Sequence, residues 1–384
     1  MADRDGELKL LVDSRELFGW QEIRVTRGLE RVPPDFSLLM AEGIANEPGF
    51  TVQPGQSCEV HIGEDLVLTG YVDRFGPSID KKSGGRIGVA GRGKCQDLVD
   101  CSAYLKGLAN QISNARTAEV IARLCGLFGI GVDARDGNGE VVPQFNVILT
   151  ETCWDIIDRV ARHSEFLAYE GTDGKLILSK LAQQRMASGF RQGVNVEHAS
   201  AAYAYDQRYS RYEAVFMPVE TLGDVARAAS SGDFNLRAFA NDDTIGAAGP
   251  GTGRRFRPLV LIAETTQNGV DIAQRRVNWE MARRIGRSQA ISLTCDSWRD
   301  AAGQLWEPNR LVSVHVPYLG ITDAEWVIAE VTYRRGKEGT LADLVLMPPA
   351  AFLPEPIVLQ PFDFQTAEAL RQADQAAGGG GPIP

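Results

Sequence analysis

The feature that most constrains this chain is a change of period along it. Short stretches alternating every second residue occupy both ends, and a block with helical spacing lies between them. Asp35-Phe-Ser-Leu-Leu-Met-Ala41 places Phe36, Leu38 and Met40 on one face. Cys58, Val60 and Ile62 alternate in the same way against Glu59 and His61. Trp20–Val25, Val67–Val72 and Ile87–Ala90 follow the pattern, punctuated by Pro33-Pro34, Pro54-Gly55 and Gly84-Gly85. Short strands separated by turn residues at this spacing predict a small barrel or sandwich.

From residue 93 the period lengthens. Lys94–Ala103 reads as a short helical stretch. Thr117–Phe128 carries Val120, Ile121, Leu124, Leu127 and Phe128 at helical spacing, with Thr117 as N-cap. Thr152–His163 repeats this through Ile156, Ile157 and Val160. Phe166–Glu170, the turn Gly171-Thr-Asp-Gly174 and Lys175–Leu178 then predict a hairpin beside that helix. Strands return at Tyr205–Pro218 and Arg257–Ala263, and Asp271–Arg287 is a charged helix containing Ile272, Trp279 and Ile285. Four more strands follow, at Ala290–Cys295, Arg310–Val316, Trp326–Tyr333 and Leu341–Met347. The predicted class is therefore α+β and β-rich: two small β-barrel domains, 1–92 and 203–347, an intervening α+β domain, 93–202, and an extended C-terminal arm, 348–384. A long loop spans 222–255. The return of the first block's pattern suggests two related barrels, although no residue-level repeat is visible.

The arm holds Phe352, Pro354, Pro356, Phe362 and Phe364. Proline fixes an extended backbone and removes donors. These residues are the expected partner-docking arm, with the last dozen disordered.

Composition narrows the function classes. The net charge of −10 argues against gripping nucleic acid through its phosphates, which requires a basic surface. Only eight of the 40 basic residues are lysine. Arginine suits subunit interfaces, but GC-rich coding DNA gives the same bias, and composition does not choose between them. Six cysteines without a C-x-x-C pair read as buried small hydrophobes in a reducing compartment. The charged start, Met1–Glu7, has no apolar core of a secretory signal, and no apolar run is long enough to cross a bilayer. Expected cofactors and metals are none.

No catalytic pattern stands out. The four histidines are scattered, and no H-E-x-x-H or G-x-S-x-G occurs. Asp133–Glu140 resembles a calcium loop, but Arg135 takes a ligand position and the glutamate comes too early, so it reads as a polar hairpin turn. Gly249–Arg255 lacks the Lys-Ser/Thr end of a phosphate loop.

Several stretches, in order, resemble one family. They are Arg24–Leu38, Leu68–Asp73, Gly91-Arg-Gly-Lys-Cys-Gln-Asp-Leu-Val-Asp-Cys-Ser-Ala103, Trp154–Leu178, Gly286–Trp298 and Trp306-Glu-Pro-Asn309. Together they look like the baseplate hub proteins of Mu-like contractile phage tails, related to the hub of type VI secretion spikes. Gly93 stands where the family usually has serine. The resemblance implies a structural, non-enzymatic homotrimer in the virion baseplate, assembled in the host cytoplasm. It implies a pseudo-sixfold ring that joins the tail tube to a central spike and surrounds a DNA channel. Expected partners are further copies of itself, the spike protein, the tube and other baseplate proteins. DNA would pass without specific binding, and no membrane insertion is expected. The competing expectation is a tail-associated enzyme that degrades peptidoglycan.

Overall fold

In the computed structural model the described residues are 7–41, 52–81, 84–104, 111–148, 150–217, 237–243, 245, 255–264 and 269–356. Most of loop 222–255, together with Phe362 and Phe364, lies outside them.

The N-terminal region supplies seven strands: β1 (Leu8–Val12), β2 (Arg15–Leu17), β3 (Glu22–Gly28), β4 (Asp35–Ala41), β5 (Ser57–Ile62), β6 (Asp65–Asp80) and β7 (Gly84–Gly93). Alternation works here as the sequence predicts: Phe36, Leu38, Met40, Cys58, Val60 and Ile62 are all buried.

The middle region begins with α1 (Gln96–Asp100), β8 (Gln111–Arg116), α2 (Thr117–Gly126), β9 (Val132–Ala134) and β10 (Val141–Asn146). It continues with α3 (Cys153–His163), β11 (Leu167–Glu170) and β12 (Leu176–Ser179). Thr152 caps α3 by accepting from the Asp155 amide, and Asp155 returns the bond. For α2 the cap is Arg116 rather than Thr117, whose hydroxyl is buried against Ser164 Oγ at 2.6 Å. The predicted hairpin is β11–β12. Asp133–Glu140 is a connector between two sheets, not a hairpin turn, because β9 pairs with β12 and β10 with β8.

Next come β13 (Gln184–Arg185), β14 (Phe190–Arg191), β15 (Val196–Tyr203), β16 (Arg211–Met217), β17 (Arg237–Asn241) and β18 (Pro258–Glu264). Helix α4 (Gly269–Arg287) leads into β19 (Gln289–Cys295), β20 (Arg310–Val316), β21 (Ile321–Gly336) and β22 (Gly339–Met347). Strands β17-β16-β18 form their own sheet, on which α4 lays Ala273 and Val277 against Tyr212, Ala214, Ala238 and Ala240.

The fold is a β-rich α+β arrangement around one 14-stranded sheet. The ends of the chain do not form two closed barrels: no ladder closes on itself among the described residues. The physical reason is visible at β3, whose outer edge pairs antiparallel with β21, Glu330↔Gly28 through Arg335↔Ile23. That pairing splices the two halves edge to edge, and one continuous apolar core runs beneath both.

Within this sheet the two halves share one strand path. The first runs β3-β4-β7-β6-β5, and the second β15-β19-β22-β21-β20. Every pairing along both paths is antiparallel. The fourth strands of the two paths, β6 and β21, are both 16 residues long. Each breaks register against its hairpin partner just after its eighth residue, Val72 in β6 and Ile328 in β21. Such bulges bend and twist a long strand. A second register shift recurs in β5–β6 and β20–β21. The suspected repeat is thus plain in topology while absent from the residues.

Candidate functional site

The described residues hold no arrangement suited to nucleophilic or general acid–base chemistry. His61 Nε2 lies 3.1 Å from Glu59 and His315 Nδ1 lies 3.1 Å from Asp323, each beside one carboxylate on a strand. The His163 ring nitrogen meets the Val141 carbonyl at 3.3 Å. Burial pushes the Cys58 and Cys125 thiols up to about 12, and those of Cys153 and Cys295 up to about 11, so they are inert as nucleophiles at neutral pH. Among the described residues no group of three or more His, Cys, Asp or Glu could hold a metal ion. No helix there is long and apolar enough to cross a membrane.

What the chain does build is joints. The first uses the Trp306-Glu-Pro-Asn309 stretch. Asn309 adopts a positive φ of 62°, a left-handed conformation that asparagine tolerates better than most side chains. Its side-chain oxygen accepts from the Ala182 amide at 2.7 Å. Its amide group donates to Ser179 Oγ and the Lys180 carbonyl, both at 3.1 Å. One side chain thereby fastens the middle region to the second half of the large sheet. Trp306 is fully buried, donates to the Ser297 carbonyl at 2.9 Å and accepts a short bond from the Tyr333 hydroxyl.

The second joint is the root of the C-terminal arm. Pro348 and Pro349 turn the chain into a short 3-10 segment, Pro349–Phe352, which points Ala351 and Phe352 inward. Phe352 is only 2% exposed and packs with Leu29, Val327 and Ala329. This corrects its placement on the docking arm: the prolines position it as core instead of keeping it out. Helix α4 approaches this turn so closely that a Cβ on Gly286 would lie 2.3 Å from the Ala351 nitrogen. Trp279 Nε1 donates to the Leu353 carbonyl at 2.6 Å. Glu355 is gripped from both sides, by Arg162 of α3 at 2.9 Å and by Arg276 of α4. Glu30 takes Arg283 at 3.0 Å and also Arg287. Pro354 and Pro356 flank this clamp half-buried. The sequence reading missed Glu355, whose signal was an acidic residue between two prolines opposite an arginine-rich helix.

These clamps bear on the arginine surplus. Many of the guanidiniums, including Arg24 and Arg31 on Asp35 and Arg92 on Asp73 and Asp100, are committed within the chain. Assembly is not needed to explain them.

Glu170, at the end of β11, is the most unusual charge. It is 4% exposed, and burial pushes its carboxyl up to about 8. The Lys94 and Cys95 amides face it and partly offset this, as does the charge of Arg27, but no donor reaches hydrogen-bond geometry. A Cβ at Gly93 would lie 2.5 Å from its oxygens, which explains glycine at that position.

Among the described residues two open surfaces stand out. One is the outer face of the small sheet, where Phe239, Val260 and Ile262 are exposed. The other is a pair of exposed strand edges on the large sheet, β15 and the second half of β6, where Ile79 is 87% exposed.

Comparison with known proteins gives this geometry its context. Residues 7–93 match the family described as Mu phage baseplate assembly protein GpP-like, N-terminal. Residues 95–180 match baseplate hub protein gp44-like, second domain. Residues 269–355 match Mu phage baseplate assembly protein GpP, fourth domain. The baseplate hub protein gp44 of Escherichia phage Mu is 30% identical over 352 residues, covering 90% of this chain and 88% of that protein. The chain belongs to the Mu-like baseplate hub family. A 43 kDa tail protein of prophage MuSo2 from Shewanella oneidensis has the same fold at a TM-score of 0.76 and 29% identity, covering 91% of this chain and 99% of that one. A type VI secretion system component of Escherichia coli shares the fold alone, at a TM-score of 0.54 and 9% identity over 92% of this chain and 80% of that one. The resemblance read from the ordered motifs is therefore correct. In this chain the Trp306–Asn309 motif fastens the middle region to the second half of the large sheet.

Proposed function

We propose that this protein is the structural hub of a contractile tail baseplate, a non-enzymatic homotrimer forming a pseudo-sixfold ring that adapts the tail tube to the central spike around a DNA channel. The observation that carries this is the splice between the two halves. Within one chain, β3 of the first half covers the edge of β21 at Glu330–Arg335. In the shared strand path β3 corresponds to β15, and β21 to β6. The position on β6 matching the covered edge is Arg74–Ile79, which is exposed apart from half-buried Phe75, and β15 is exposed along much of its length. Prolines in sheets are confined largely to edges, and Pro77 sits on this one. The β15 edge of one copy placed on the β6 edge of the next would repeat the internal splice between chains. Three chains would then close a ring of six similar units, because such head-to-tail contacts either close or polymerise.

In this reading 1–92 is one ring unit and 203–347 is the other, completed by β13, β14 and β15 from the end of the middle segment, while the rest of 93–202 lies outside them. The arm, 348–384, reaches the spike through Pro354, Pro356, Phe362 and Phe364. The acidic chain leaves passing DNA unbound. Assembly takes place in the host cytoplasm.

Light scattering on the purified protein at micromolar concentration tests the ring. A trimer is expected. Ile79→Asp combined with Ala202→Asp, both on exposed edge positions, should shift it to monomer. A monodisperse wild-type monomer overturns the reading. Clear lysis of peptidoglycan in a zymogram would replace it with the enzymatic one.

A further inference from the structure

We propose that the cavity beside the Asn309 fastening binds a small oxyanion of the carboxylate or phosphate type. The cavity has a volume of about 210 Å3 and lies between the middle region and the second half of the large sheet. Its walls hold four cationic side chains, Arg27, Arg135, Lys180 and Arg310, against two anionic ones, Asp136 and Glu307. It is thus a locally positive recess on a chain of net charge −10.

The balance of donors and acceptors is more telling than the charge count. The acceptors are already engaged: Glu307 takes Arg310 at 3.0 Å, and Asp136 takes the Lys180 backbone amide at 2.6 Å. The donors are not. Arg27 is only 7% exposed, and its Nε is buried with no acceptor among the described residues. Tyr169 is 6% exposed, and its hydroxyl accepts from Ser179 Oγ and from Asn309 Nδ2, each at 3.4 Å. A hydroxyl that accepts twice still has its own proton to give. The Lys180 ammonium has no ion-pair partner among the described residues. A buried donor left unpaired is costly, and a ligand that only accepts would relieve Arg27 while also taking the Tyr169 proton and the exposed Lys180 ammonium. A planar guanidinium deep in the site suits the oxygens of a carboxylate or phosphate.

The oxyanion can be a free ion or an acidic side chain of another protein, and titration of the full-length protein distinguishes them. Inorganic phosphate, citrate and a short glutamate-rich peptide are titrated calorimetrically at constant ionic strength, with chloride as the control. Saturable binding at one site per chain is expected for at least one of the three. Phosphate or citrate alone would identify a free ion, and preference for the peptide a protein carboxylate. Arg27→Gln should abolish binding. Because Arg27 lies on a central strand, two surface variants guard against loss of folding. Lys180→Gln and Gln183→Glu, at exposed wall positions, should each weaken binding at least fivefold. No saturable binding by any of the three, or binding unchanged in these variants, overturns the proposal.

Discussion

The two halves of the large sheet solve one packing problem in opposite ways. In the first, Gly91 of β7 sits opposite Phe36 of β4 and Val72 of β6. At the matching register of the second, Leu346 of β22 sits opposite Ile291 of β19 and Ile328 of β21. The first half fills the core from β4 with one aromatic ring and leaves no room on β7: a Cβ at Gly91 would lie 2.7 Å from that ring and 2.2 Å from the Tyr71 carbonyl. The second divides the same task between two aliphatic side chains, both fully buried. A strand path can therefore persist while the residues that fill it change places, and this is why no residue-level repeat is visible in the sequence.

The largest effect is expected where that comparison is violated outright. Gly91→Leu imports the second half's residue without its partner and drives a side chain into backbone. It should leave little soluble folded protein, since even modest overpacking costs about 1–3 kcal/mol. Phe36→Ile with Gly91→Leu should recover part of the loss, measured by thermal unfolding. If the pair behaves no better than Gly91→Leu alone, the two halves do not share a packing scheme. Next in size is Leu346→Ala, which empties the matching position and should cost about 2–5 kcal/mol in denaturant unfolding.

Glu170 sharpens the comparison at the middle region. Its carboxyl is neutral at low pH in the folded chain, with the titration raised to about 8 by burial, while in the unfolded chain it ionises in the usual carboxylate range. The folded state thus holds the extra proton in between. This contribution to stability is fully present below about pH 4 and is lost as pH rises to about 8, after which it levels off. Glu170→Gln should flatten that slope and stabilise the protein at pH 8–9 by on the order of 2 kcal/mol, read from urea midpoints. An unchanged slope would mean the carboxyl finds water or a partner on ionisation. The smallest effect belongs to the exposed edge: compared at concentrations low enough for both proteins to be monomeric, Ile79→Asp should leave the unfolding free energy within about 0.5 kcal/mol of wild type, because it changes association and not the subunit core.

Local structure was well written in the sequence. The alternation of Phe36, Leu38 and Met40 named both a strand and its buried face, and the spacing of Ile156, Ile157 and Val160 over Thr152–His163 named a helix. Pairing across long separations was not. Thr26 meets Thr332 at 3.0 Å across 306 residues, and nothing in either segment specifies that partner. Strand β6 was read only as far as Val72, because beyond it Gly76 and Pro77 look like a turn, although β7 carries the ladder to Asp80. Phe352 was misplaced because proline-rich segments are read as exposed, whereas here two prolines aim the ring inward. The joints were the least legible part. Asn309 and Glu355 act through distant partners, and only the ordered motif around Trp306 hinted at the first.

The clamp on Glu355 bears on how the molecule would carry tension. A pull on the chain beyond residue 356 meets Glu355 before it reaches Phe352 or the end of β22. Two guanidiniums on two different helices share that load, so it enters the body as shear between α3 and α4. Strand β22 is spared from being peeled off the sheet one hydrogen bond at a time.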